Sequence, residues 1–193
     1  MKTLLAAVTA ALLAACASTP SGSPAERIAA AEKELLAAKQ VTLRFSTRTT
    51  GAVESHFSGA MNVLQGNIAS IDADGEMAKK SATIRYSANG KPAHVSDALV
   101  ITLVRMGLTH DLYELSNGQP PSFIESGAEQ SLKLSQVQWD AKEKKFTYHL
   151  VVEGADAGEG ELWVGRHDYP VRRKLTVHFP NGDMKVDERY EWR

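Results

Sequence analysis

The chain has 193 residues, with 22 lysines and arginines against 23 aspartates and glutamates and a formal net charge of −1. This balance gives no net basic field for nucleic-acid binding and no strongly acidic surface, and bulk charge says little more about function. Beyond its N-terminal segment the chain is long enough for one domain with a sizeable core and too short for two domains to be expected.

The first 15 residues have the pattern of a cleaved signal peptide. Lys2 supplies a positive charge, and the stretch from Leu4 to Leu13 is rich in alanine and leucine. Polar residues follow too early for a permanent membrane span, which needs about 20 apolar residues. We therefore predict that residues 1–15 are removed from the mature protein.

Cys16 is the only cysteine and ends the sequence Leu13-Ala14-Ala15-Cys16, which resembles the bacterial lipobox. The resemblance implies that Cys16 is acylated and anchors the mature protein in a membrane. It also implies the periplasmic face of the outer membrane, because Ala17 stands where aspartate would mark inner-membrane retention. The small and polar residues 16–23 predict a flexible, lipidated tether, and residues 24–193 are predicted to form the folded domain.

The domain is predicted to begin with a helix. Ser23 and Glu26 are placed for a capping box around Pro24, which suits the first helical position. Apolar residues then recur at helical spacing through Leu35. From Val41 the apolar period changes to two, which predicts a half-buried strand.

More strands follow the first one. They are predicted at Val53 to Leu64, Ile68 to Ala73 and Ala82 to Ala88. Asp74-Gly75 and Asn89-Gly90 predict turns, because these residue types tolerate a positive φ. The first half of the domain is therefore predicted to be antiparallel sheet.

A long apolar helix is predicted next. Ser96 is its candidate N-cap, and Asn117-Gly118 ends it after Leu115. Residues 98–104 place apolar side chains on all sides of the axis, so a single face cannot bury them all. Gly107 permits a bend.

The remainder is predicted to return to strands, at Leu132 to Trp139, Phe146 to Val152, Glu161 to Val164, Leu175 to Phe179 and Met184 to Trp192. The acidic, glycine-containing segment from Asp156 to Gly160 is predicted to be a mobile hairpin. The order of helix, strands, apolar helix and strands predicts an α+β fold. Its single curved antiparallel sheet would form a half-open β-barrel with helices covering the concave face.

Two stretches of the second half carry a family resemblance, Leu162-Trp163-Val164 and Tyr169-Pro170-Val171-Arg172-Arg173. With the paired strands that follow, they are similar to the late strand, turn and return strand of the LolA/LolB-like lipoprotein carriers and receptors. Gly59 to Val63 is similar to that family's second strand, but the aromatic and proline-rich segment that usually follows is absent. The resemblance implies an open half-barrel with a helical lid, and no acyl-recognition residue is carried over.

No constellation of catalytic or metal-ligating residues is evident. The six histidines are dispersed, and the sequence has neither a zinc spacing nor a phosphate-binding glycine loop. His110-Asp111 is the only pairing of interest, although adjacent residues of a helix point in different directions. Arg172-Arg173-Lys174 is a candidate contact for anionic headgroups, but a solvated strand end is the favoured interpretation. We expect no enzyme activity, no metal and no cofactor.

The remaining indication of function in the sequence is its distribution of apolar residues. A half-barrel too curved to be filled by its own side chains leaves a ligand cavity under the helices. The candidate lining residues are Phe45, Leu99, Leu103, Met106, Leu150, Val177 and Trp192. This predicts a carrier, receptor or sensor that binds a lipid, an acyl chain or an acylated protein. The alternative is an envelope scaffold with a filled core, whose exposed strand edge binds another protein.

Overall fold

The structure is a computed structural model that describes residues 22–64, 67–87, 96–118 and 131–193. The predicted signal peptide, Cys16 and most of the tether lie outside these residues, as does the predicted turn at Asn89-Gly90. The helices are α1 Pro24–Ala37, α2 Ser96–Arg105 and α3 Thr109–Ser116, and a 3-10 turn spans Arg166–Asp168. None of the helices within the described ranges is long and apolar enough to cross a membrane.

The strands are β1 Gln40–Gly51, β2 Ser55–Leu64, β3 Asn67–Met77, β4 Lys80–Ser87, β5 Leu132–Asp140, β6 Lys145–Val152, β7 Ala155–Val164, β8 Pro170–Val177 and β9 Met184–Trp192. They form one nine-stranded sheet in the order β4-β3-β2-β1-β9-β8-β7-β6-β5. All neighbours pair antiparallel. Because β4 and β5 are its two edges, the sheet is open, and this part of the predicted fold is confirmed.

One face of the sheet is buried. In β9, Met184, Val186 and Tyr190 are buried, whereas Lys185 and Arg189 between them are exposed. The three helices contact this sheet: α1 contacts β5, α2 contacts β3 and β5, and α3 contacts β1 and β4. Buried apolar side chains from the helices and the strands join in one cluster. The period of two in the sequence therefore gives the buried face correctly.

Helix α1 begins as predicted. The Ser23 N–H donates to Glu26 Oε2 at 2.6 Å, and the Glu26 N–H donates to Ser23 Oγ at 3.3 Å, which completes the capping box. Arg27 follows and is only 7% exposed, with its guanidinium 3.8 Å from the centre of the Trp139 ring. It also donates to Asp168 at 2.7 Å. Arg27 thus joins α1 to β5 and to the 3-10 turn.

The predicted turn at Asp74-Gly75 is wrong. Strand β3 continues to Met77, and the chain turns at Ala78 and Lys79, with φ of 49° and 65°. Gly75 serves a close approach instead, since a Cβ there would lie 1.9 Å from the carbonyl oxygen of His56. The glycine therefore marks a crowded strand and not a turn.

The mobile hairpin predicted at Asp156 to Gly160 is also wrong, because β7 begins at Ala155 and includes this segment. Its glycines again relieve close contacts. A Cβ at Gly160 would lie 2.3 Å from the ring of Tyr148, and one at Gly158 would lie 1.9 Å from the carbonyl oxygen of Thr176. Small residues that predict a loop in the sequence are here required by the close approach of neighbouring strands.

The predicted apolar helix is two helices with a bend at Gly107. Helix α2 ends at Arg105 and α3 begins at Thr109. Gly107 has a φ of +101°, a conformation that side-chain-bearing residues rarely adopt. The bend permitted by Gly107 is therefore confirmed, and it places the end of α2 beside the start of α3.

Candidate functional site

A buried ion pair lies beneath the junction of α2 and α3. Arg173 of β8 and Glu188 of β9 face each other across the two strands, and both are 0% exposed. The Arg173 Nε and Glu188 Oε2 atoms are 3.5 Å apart. A charge pair without solvent contact is retained only where hydrogen bonds compensate for the lost water. Both residues have such bonds, and those bonds lead to the helices.

Arg173 binds the C-terminal end of α2. Its Nη2 donates to the carbonyl oxygens of Leu103 at 2.8 Å and Val104 at 2.7 Å. The last carbonyls of a helix lack partners within the helix and carry partial negative charge. The guanidinium therefore satisfies groups that would otherwise be buried without a hydrogen bond.

Glu188 binds the N-terminal end of α3. Its Oε1 accepts from the N–H groups of Leu108 and Thr109, both at 3.0 Å, and from Thr109 Oγ1 at 2.8 Å. The Tyr190 hydroxyl donates to Oε2. A carboxylate at a helix N-terminus is favourable because that end carries partial positive charge. The ion pair thus matches the charge of both helix ends.

The surroundings of the ion pair are shaped for it. A Cβ at Gly107 would lie 2.0 Å from Glu188 Oε2, so no larger residue fits at the bend without displacing the carboxylate. Burial acts to lower the pKa of Arg173, but Tyr148, Tyr190 and Glu188 act to raise it, and the net shift is upward. Burial, with the charge of Glu188 beside it, raises the pKa of Tyr190 well above its usual range. Arg173 remains charged and Tyr190 remains a neutral donor.

The interpretation of Arg172-Arg173-Lys174 as a solvated strand end is wrong for Arg173. Alternation along β8 places Arg173 on the buried face with Leu175, whereas Arg172 points outward and pairs with Asp187 at 2.8 Å. Glu188 was missed altogether. The same alternation was available in the sequence, because Glu188 stands between Val186 and Tyr190 on the apolar side of β9.

The predicted cavity-lining residues occupy different places in the structure. Phe45, Leu103 and Leu150 are at most 5% exposed and belong to the apolar cluster. Met106, Val177 and Trp192 are partly buried and pack against that cluster. Leu99 lies in α2, but its side chain is outside the described part of the chain, and Cys16 is outside it as well. A cavity lined by these residues stays a prediction.

Two surface depressions among the described residues have a different character. One, of about 770 Å³, is lined mostly by outward-facing polar side chains of β1 and β5 to β9, including Lys174, Glu161 and His149. The other, of about 640 Å³, lies beside the aromatic pair of Tyr169 and Trp192. Among the predicted lining residues whose side chains the structure describes, only Trp192 borders either depression. The larger depression carries both charge signs and does not suit an acyl chain.

A second polar cluster lies on α3. His110, Asp111 and Glu114 place one ligand atom each within 4.8 Å of one another, so the expected separation of His110 and Asp111 is not observed. Asp111 is 0% exposed, and neither of its carboxylate oxygens has a hydrogen-bond partner. Burial, followed by the charges of Glu114 and Glu188, raises the pKa of Asp111 well above its usual range. This cluster requires an explanation separate from the ion pair.

No protein-family model matches the chain, and no curated protein sequence matches it. The chain is similar to the crystal structure of MucB in complex with the periplasmic part of MucA, with 8% identity, a TM-score of 0.33, and 88% of this chain covered. It spans 55% of that MucB chain. It is also similar to the LolA superfamily protein NE2245 from Nitrosomonas europaea, with 13% identity, a TM-score of 0.23, and 88% of this chain and 92% of that chain covered.

Proposed function

We propose that the protein is a non-enzymatic lipoprotein of the bacterial envelope that binds an acyl chain between the α2–α3 pair and the apolar face of the sheet. In this proposal the helices cover the concave face of a half-barrel, and Cys16 anchors the chain at the periplasmic face of the outer membrane. The observation that carries the proposal is the buried ion pair. It provides a localised polar attachment for a helix pair that otherwise rests on an apolar surface.

The apolar contacts of the helix pair are extensive. Val100, Leu103, Val104, Leu108 and Leu112 are each at most 2% exposed. An acyl chain that entered beneath the helices would replace these contacts with similar ones and would itself leave water. That transfer contributes about 25 cal/mol per Å² of apolar surface removed from water. Because Gly107 separates α2 from α3, the proposal requires each short helix to shift as the chain enters.

A second function is favoured by the packing of the core. The buried side chains of Phe45, Leu103 and Leu150 leave little room for a ligand in this structure. If the core remains filled in solution, the domain is a scaffold that binds another protein. The outer sides of β4 and β5 have no strand partner among the described residues, and such edges can accept a strand from a partner.

Acyl binding is tested by titrating the mature lipidated chain with a fluorescent fatty acid. The chain is held in a mild detergent, at a concentration too low for the fatty acid to partition into the detergent. The proposal predicts saturable binding of about one probe per chain, and competition by unlabelled fatty acid. The same buffer and detergent without protein provide the background fluorescence. Probe fluorescence that rises without saturation, as it does with detergent alone, would favour the scaffold.

The anchor is tested by Cys16→Ser. We expect the variant to incorporate no palmitate analogue and to leave the membrane fraction, because the proposed attachment atom is removed and lipid chains supply the membrane affinity. The domain from Pro24 onward should fold as before, since its helix cap at Ser23 is retained. Ser18→Ala is the matched control and should label normally. A labelled, membrane-bound Cys16→Ser protein would show that the lipobox interpretation is wrong.

A further inference from the structure

Asp111 has the least compensated carboxyl group among the described residues of the helix junction. Its side chain is fully buried, and both carboxylate oxygens lack a hydrogen-bond donor. Nearby Glu188 is equally buried but accepts hydrogen bonds from Leu108, Thr109 and Tyr190. Buried carboxylates are nearly always hydrogen-bonded, because burial without a partner is costly. The missing donors therefore indicate that the Asp111 carboxyl group binds a ligand.

The neighbours of Asp111 carry the right atoms for a cation. Glu114 lies one turn further along α3, and His110 Nδ1 is 3.7 Å from Glu114 Oε2. One ligand atom from each residue lies within 4.8 Å of the other two. Two ligands at about 2.1 Å from one tetrahedral ion are about 3.4 Å apart. Binding of one ion would therefore draw the three side chains closer together than they stand in this structure.

We propose that His110, Asp111 and Glu114 form a site for a divalent transition-metal ion, with Zn²⁺ as the best fit. One imidazole nitrogen with two carboxylate oxygens suits Zn²⁺, whereas Mg²⁺ and Ca²⁺ prefer oxygen ligands alone. Asp111 and Glu114 are buried and the His110 side chain is 36% exposed, so the site has an open side toward solvent for entry and for a fourth, water ligand. The proposal is independent of acyl binding and differs from the sequence-based expectation of no metal.

An ion at this position would act on α3, which carries all three ligands. Helix α3 contacts β1 and β4, and three ligands from its first turns would be fixed by one ion. The charge of Asp111 would then be compensated within the structure instead of by protonation. Metal binding is thus expected to stabilise the folded domain, since only the folded chain brings the ligands together.

The site is tested on the full mature chain in detergent, by titration with Zn²⁺ against a chelating dye. The expected result is one ion per chain, accompanied by a rise in the melting temperature. Asp111→Asn keeps the shape of the side chain and should lower the affinity at least about 100-fold, since even residues outside the ligand sphere cost 10–100-fold. Glu114→Gln should do the same and serves if Asp111→Asn does not fold.

The control is His178→Gln, because His178 and Asp183 form an exposed histidine–carboxylate pair at 3.0 Å elsewhere on the surface. This variant should bind Zn²⁺ as the wild type does. Co²⁺ provides a second readout, because a tetrahedral site with a nitrogen ligand gives visible absorption bands that Asp111→Asn should remove. Absence of saturable Zn²⁺ binding in the wild type, or wild-type affinity in folded Asp111→Asn or Glu114→Gln protein, would overturn the proposal.

Discussion

Replacing Glu188 by leucine is expected to lower the free energy of unfolding by about 3–5 kcal/mol, because Arg173 would remain charged and buried without its partner. The N–H groups of Leu108 and Thr109 would lose their acceptor as well. The change is measured by urea unfolding, followed by tryptophan fluorescence and by circular dichroism. Two probes are needed because release of α2 and α3 and unfolding of the sheet need not coincide.

Asp187→Leu is the matched control for Glu188→Leu. Asp187 is the preceding residue of β9, and its pair with Arg172 is partly exposed, with side chains 34% and 41% accessible. Such pairs contribute at most about 1 kcal/mol. The double variant Arg173→Met/Glu188→Leu should recover much of the lost stability, since it leaves no buried charge. If Glu188→Leu cost no more than Asp187→Leu, the ion pair would not hold the helices to the sheet.

Replacing Leu103 by alanine is expected to destabilise the domain by about 2–5 kcal/mol, because the side chain is 2% exposed and its loss leaves a cavity. Replacing it by aspartate should be more severe, since a charge would enter a site that excludes water. Water entry and a raised pKa of the new carboxyl would relieve part of this cost. Thermal unfolding beside the fatty-acid titration separates the effect on folding from the effect on binding.

Tyr113→Asp is the control for the aspartate variant, because Tyr113 is 46% exposed on α3. It should change stability by no more than about 0.5 kcal/mol. If acyl chains bind under α2, folded Leu103→Ala protein should have a lower probe affinity than the control. Unchanged affinity in a folded Leu103 variant would place acyl binding away from this helix.

Much of the fold could be predicted because local pattern and tertiary structure agree. The capping box at Ser23, the period of two in β1 and β9, and the bend at Gly107 each have one physical cause that acts locally. The errors at Gly75 and Gly158 have another origin. These glycines resolve contacts with residues on neighbouring strands, and a single sequence does not show which strands will be neighbours.

The candidate sites were harder to predict for the same reason. Alternation along β8 assigns Arg173 to the buried face of the sheet. Its hydrogen-bond partners, however, are carbonyl groups of α2, about 70 residues away in sequence. The sequence marks a charge on an apolar face and does not reveal what compensates it. Asp111 shows the reverse case, since only the structure reveals that its carboxylate has no donor. In both cases the missing information is three-dimensional.

Non-covalent binding of an acyl chain by the domain is tested by native mass spectrometry of the Cys16→Ser chain purified from the producing bacterium. The serine variant removes covalent lipid, so any bound amphiphile must be held by the domain. If the domain binds an acyl chain, the spectrum should show a complex with one fatty-acid or phospholipid mass, which added deuterated fatty acid displaces. A folded protein that carries no amphiphile and takes up none after incubation with deuterated fatty acid would contradict it.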